Sequence, residues 1–188
     1  MNVEQEFSTV DLLLKSSFET RGVDSFALSI IKLERQVRRI FSFLIYQHPD
    51  YSAEDIKMLR TIISKNKRMY FENFIKGIEH IYCSDLSNLY GVDFQNDFDR
   101  LIIIQGERNK IFHGQTTTQN LSRHDLTERI KFMKKWSLRI QTIFESEVGF
   151  NGFNRNSFQK SSKNINLLNI DSFRNYEEFK NLLKGIGR

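Results

Sequence analysis

A single cysteine and a single proline are the plainest scarcities of this chain. One thiol, Cys83, excludes an internal disulfide framework and fits a reducing compartment. One proline, Pro49, and nine glycines in 188 residues leave few turn formers for a many-stranded β architecture and suit long helices. No apolar run approaches the ~20 residues of a membrane span. The N-terminus is acidic and polar rather than signal-like, so the chain reads as soluble and cytoplasmic. A glycine-rich phosphate loop, a paired-cysteine metal site and a nucleophile elbow are also missing. The four histidines, His48, His80, His113 and His124, show no close metal-ligand spacing. His80 and Cys83 form a lone i,i+3 pair, read as a helix residue and a small core hydrophobe. No metal and no cofactor are expected.

What is present is a core in search of helices. Seventeen phenylalanines and 13% aromatics place the chain among folded proteins. Phe26, Ile30, Leu33, Val37, Ile40 and Leu44 step by 4, 3, 4, 3, 4, one face of a helix held for about five turns. Pro49 ends that segment. Ser52 with Asp55 has the form of a helix-start box, and Ile56, Leu59, Ile62 and Ile63 follow it. A further segment carries Phe71, Phe74, Ile75, Ile78 and Ile81, and Gly91 marks a loop. The run Phe98, Leu101, Ile102, Ile103, Ile104 reads as a helix rather than a buried strand, because of its flanking charges, and Gly114 is a natural stop. Ser122 with Asp125 opens the last long helix, on which Leu126, Ile130, Met133, Ser137, Ile140 and Phe144 repeat the same stepping up to Gly149. The expected fold is all-α, an antiparallel helical bundle of four to five main helices.

From Phe150 the composition shifts to Asn, Ser and Lys, which divides the chain into a bundle over 1–149 and a basic C-terminal arm over 150–188. A short helix is expected over 174–184. The arm holds seven Lys/Arg against three Asp/Glu, four of the net five positive charges. That balance is compatible with a polyanionic partner and is also common among proteins that never meet nucleic acid. Trp136 reads as a core or dimer-interface residue rather than a base-stacking platform.

Arg108-Asn109-Lys110-Ile111-Phe112-His113 is the stretch with chemical content. It joins a cation that stays charged to a side chain that titrates near neutral pH, and this pair can do acid–base chemistry on a phosphodiester without a metal. Five residues on a helix are about 140° apart, so the two side chains do not stack on one face. The alternative is a surface Arg and a helix-terminal His on the dipole. Glu34, on the first long helix, is either a supporting hydrogen-bond partner of Arg108 or a solvated helix charge.

Gly106-Glu107-Arg108-Asn109-Lys110-Ile111-Phe112-His113-Gly114 resembles the signature of the HEPN superfamily: Arg, a polar residue that is often Asn, further residues, then His. The matching segment covers under a tenth of the chain, and the bundle extends the resemblance to about residues 24–148. It implies a metal-independent endoribonuclease, often dimeric so that two motifs form one cleft, and often a toxin or an anti-phage effector. Arg108 and His113 would then be the catalytic pair, and Asn109 would orient the phosphate or the pair. RNA brings its own nucleophile, the 2′-OH. The protein must move protons and stabilise a crowded, negatively charged phosphorane, tasks suited to His and to a guanidinium fork. Expected partners are RNA, a second copy of the chain, and an antitoxin or regulatory protein, with no membrane. Lys110, Arg155 and Lys160 are candidate RNA contacts. The stretch from Arg155 to Lys160 mixes cations, amides and an aromatic ring, which suits single-stranded RNA. It equally suits an arm packed on the bundle through Phe150, Phe153 and Phe158. Some HEPN toxins carry a Tyr two residues after the motif His that a nucleotidyltransferase antitoxin modifies; here that position is Gln115. The rival class is a non-catalytic helical module that binds nucleotides or a partner protein.

Overall fold

The computed structural model describes residues 1–67, 69–112 and 121–187. Among them the chain forms eight α-helices: α1 (Val3–Lys15), α2 (Arg21–Tyr46), α3 (Ile56–Lys65), α4 (Phe71–Ile81), α5 (Leu86–Tyr90), α6 (Phe94–Phe112), α7 (Arg123–Val148) and α8 (Tyr176–Ile186). The described residues contain no strand, only an isolated antiparallel bridge between Tyr82 and Leu167. The protein is an all-α helical bundle.

The two long helices are the expected ones. Every residue of the α2 stripe from Phe26 to Leu44 is at most 1% exposed. Ser122 and Asp125 close a capping box at the start of α7, and Gly149 ends it in the left-handed conformation. The Ser52–Asp55 box forms as well, but it closes on a 3-10 turn, Ala53–Asp55, that leads into α3.

The direction of the long helices follows from their contacts. A Cβ on Gly22 would sit 3.3 Å from the Arg123 side chain, and the Gln36 amide donates to the Ser137 carbonyl at 3.1 Å. The start of α2 therefore meets the start of α7, and the two helices run parallel. Antiparallel neighbours fill in around them. Asp11 of α1 pairs with Lys134 at 3.0 Å, and the Val3 amide reaches Gln141 at 2.7 Å. Glu107 of α6 pairs with Arg129, and Arg100 lies over the Phe132 ring at 4.1 Å.

The first helix falls in a segment that reads as merely acidic and polar. Asn2 and Gln5 cap it reciprocally, and Val3, Phe7 and Val10 are fully buried. Its apolar stripe is interrupted by a buried Glu6, which accepts from Lys32 at 3.2 Å and Arg35 at 3.0 Å. Those partners lie on another helix, so the carboxylate looks out of place in the sequence and is satisfied only in the fold.

The segment from Phe150 packs into the same core as the bundle. Phe150 stacks on Phe43 at 4.5 Å between ring centroids, and Phe158 meets Tyr46 edge-on at 5.7 Å. Phe150, Phe153, Phe173, Phe179 and Leu183 are all buried in one cluster with the bundle. Asn175 caps α8, whose apolar face lies on α3 and α4. Trp136 is a core residue, 1% exposed, edge-on to Phe71. Cys83, by contrast, is exposed and is not the small core hydrophobe its neighbourhood suggests.

Candidate active site

The Arg108–Phe112 residues form the last turn of α6. Four consecutive apolar residues, 101 to 104, sweep most of the way round a helix. Leu101 and Ile104 turn inward at 0% and 2% exposure, while Ile103 is 63% exposed. With so narrow a buried stripe, α6 depends on a polar clamp at its far end. The Arg129 guanidinium on α7 donates from Nε and Nη2 to both oxygens of Glu107, at 2.5 and 2.6 Å. Both side chains are largely shielded, which strengthens a forked pair of this kind, and the contact holds the Arg129 pKa up. The clamp fixes the helical turn that bears the motif. Nothing in the sequence announces it, because the partners are 22 residues apart on different helices.

Arg108 sits next to this clamp. Its Nη1 donates to Asn109 Oδ1 at 2.9 Å, and its guanidinium lies 5.1 Å from the centroid of the Phe112 ring. Its Nε is buried without a hydrogen-bond partner among the described residues. Glu34 faces it from α2. Burial pushes the Glu34 carboxyl up from its ordinary value, and the Arg108 charge offsets part of that rise. The two do not form a direct ion pair. The structure thus brings Arg108, Asn109 and Glu34 together, with Lys110 exposed on the same turn. His113, Gly114 and Gln115 lie outside the described residues.

No protein family, curated protein or solved structure matches this chain.

Arg155 and Lys160 are not at this site. Lys160 Nζ donates at 2.7 Å to the carbonyls of Tyr46 and His48, satisfying the open C-terminus of α2, and burial holds its pKa down. The Arg155 guanidinium packs over the Phe43 ring at 5.4 Å, and its carbonyl accepts from Arg39. Both belong to the seam between the tail and the C-terminal part of α2. Among the described residues no cluster of His, Cys, Asp and Glu could hold a metal ion, and no helix is long and apolar enough to cross a membrane.

The half-buried Glu34 gives a signed prediction. Its folded-state pKa lies above the ordinary 4.5. Between those two values the folded protein binds more protons than the unfolded chain, so this group's contribution is fully present in acid and falls as pH rises through that window. Glu34→Gln is therefore expected to melt above wild type at pH 7, with the difference closing towards pH 4. Thermal melts at the two pH values check it.

Proposed function

We propose that this chain is a metal-independent endoribonuclease of the HEPN type, acting in the cytoplasm as a homodimeric toxin or anti-phage effector. The observation that carries the proposal is Arg108. It is a guanidinium held at a helix end by Asn109 and Phe112, with an opposing carboxylate and a buried Nε that lacks a described partner, five residues before a histidine.

The chemistry is transesterification. The ribose 2′-oxygen attacks the adjacent phosphorus as its proton passes to His113, forming the O2′–P bond. The P–O5′ bond breaks, and the leaving 5′-oxygen takes a proton from the partner's His113. Arg108 stabilises the charge on the equatorial oxygens. The products are a 2′,3′-cyclic phosphate and a 5′-hydroxyl, and DNA is not cut. A dimer supplies the second histidine. Ile31, three residues before Glu34, and Phe112, four after Arg108, are 49% and 57% exposed, apolar surface of the kind a second copy would cover.

One observation favours the alternative of a non-catalytic module binding nucleotides or a partner protein. A groove of about 560 Å³ between α3 and α8 has an apolar floor including Met58, Ile62 and Leu183, rimmed by lysines. Sequencing RNA ends after brief induction separates the two. The ribonuclease reading expects new cyclic-phosphate ends with wild type and none with His113→Ala. Identical end profiles would leave the module.

A further inference from the structure

A second concentration of arginine lies further along α2. A cleft of about 370 Å³ opens between α2, α3 and the segment around Phe158, and Arg38, Arg39 and Arg60 all line it. No Asp or Glu is among its lining residues. Arg38 is exposed, and its guanidinium has no hydrogen-bond or ion-pair partner among the described residues. Arg60 is also exposed, and its guanidinium carbon lies over the Phe158 ring, 4.9 Å from the centroid. Arg39 spends one amino group on the Arg155 carbonyl. Burial and the neighbouring Arg35 charge both press its pKa down, with Glu6 acting the other way. Three cations with no carboxylate in their own cleft are not stabilised by pairing there. Such a cluster is arranged for an anion that arrives from outside.

The place of the cleft narrows the choice of anion. Glu34, which faces Arg108, is followed at four-residue steps by Arg38 and Ser42 on one stripe of α2. Each step advances about 6 Å along the helix. The cleft therefore begins one turn beyond the site proposed for the scissile phosphodiester. Three of the hydroxyls lining it are already committed, since Ser42, Thr61 and Ser64 donate to carbonyls of their own helices, and Ser157 adds a fourth hydroxyl to the lining. Phe158 is 8% exposed and packed on Tyr46, so it offers no face to a base. What remains is guanidinium and the Ser157 hydroxyl, groups that contact phosphates and do not read sequence.

We infer that the Arg38–Arg39–Arg60 cleft is a phosphate track that holds the backbone of single-stranded RNA running away from Arg108 along α2. This rests on the ribonuclease reading for the identity of the strand. The track would contribute affinity with no base preference.

The test uses full-length His113→Ala, so that bound RNA stays whole, with and without Arg38→Gln and Arg60→Gln. Binding of a fluorescent single-stranded RNA is followed against salt. Thermal melts within a few degrees of the parent establish that the double variant is folded. The track predicts binding weaker by about tenfold or more near 0.1 M salt, and a log–log salt slope smaller by about 1.4, the value for two phosphate contacts on a single strand. Unchanged affinity and slope, or no RNA binding by the parent, overturns the track. Displacement of the RNA from the parent by poly-glutamate, with no loss of RNA affinity in the double variant, also overturns it and points to an acidic protein. Cleavage by the His113-containing protein is measured separately. RNA that is cut but bound as well without the two arginines removes the track and leaves the ribonuclease. RNA held through them and never cut removes the ribonuclease and leaves the cleft.

Discussion

Replacing His113 with Ala is expected to lower RNA cleavage by about 10²–10⁴-fold, the usual worth of a positioned general acid or base. The loss falls on kcat more than on RNA binding, because proton transfer is an interaction made in the transition state and not in the bound ground state. Replacing Arg108 with Ala is expected to cost about 10²–10³-fold, as for loss of one strong donor to a developing oxyanion. Arg108→Lys separates charge from geometry. Lysine keeps the charge but cannot present two parallel N–H bonds, so it should recover only a small part of the rate. In the structure Arg108 is already oriented by Asn109 and by Phe112, and the turn that bears it is locked by Glu107 and Arg129. Arg129→Ala should therefore reduce cleavage without touching substrate, through a loosened helix end. Initial rates on one labelled RNA, taken for all four variants, would establish the ranking.

The largest stability effect is expected where the tail docks on α2, at Gly152. Its φ is +88°, and a Cβ there would lie 2.5 Å from Gln36 Cγ and 3.2 Å from the Gln36 carbonyl. Gln36 has nowhere to go. It is fully buried, its amide donates at 3.1 Å to the carbonyls of both Ser137 and Asn151, and its oxygen accepts from the Ser137 hydroxyl. The tail is docked at this point by backbone against a fixed side chain. Gly152→Ala combines left-handed strain with overpacking, about 2–4 kcal/mol together. For a domain of this size that corresponds to roughly 5–15 °C in melting temperature. Gly185 in α8 is the control, because a Cβ there meets nothing within 4 Å. Gly185→Ala should raise stability by about 0.5–1 kcal/mol through helix propensity. Equal effects at the two positions would contradict the account of how the tail is held.

The contrast between these residues shows what a sequence can disclose. The stripes of α2 and α7 and the boxes at Ser52 and Ser122 are legible because they are local: their partners lie within three or four residues. Arg108 and Asn109 were legible for the same reason, as a short motif on one helix. Glu6 was not, since a carboxylate on an apolar stripe argues against a buried helix until Lys32 and Arg35 are seen beside it. The docked tail was legible as one of two readings, an arm packed through Phe150, Phe153 and Phe158, while its composition kept the other open. Asn, Ser and Lys read as solvated, but the phenylalanines among them are spaced to meet α2, and Lys160 turns its charge onto helix-end carbonyls. The parallel course of α2 and α7 and the Glu107–Arg129 clamp are products of tertiary packing and leave no periodicity to read. Glu34 lies between these cases: its place on α2 was visible, and its approach to Arg108 depended on where α6 ends.

The central claim is that Arg108 and His113 cut RNA without a metal, as paired copies. The direct measurement incubates purified protein with a labelled single-stranded RNA in excess EDTA, over concentrations that span monomer and dimer, and identifies the product ends. The account predicts 2′,3′-cyclic phosphate and 5′-hydroxyl ends, specific activity that rises with dimer formation, and no cleavage of the DNA of the same sequence. Cleavage abolished by EDTA, equal cutting of DNA, or intact RNA at concentrations where the protein is dimeric would contradict it.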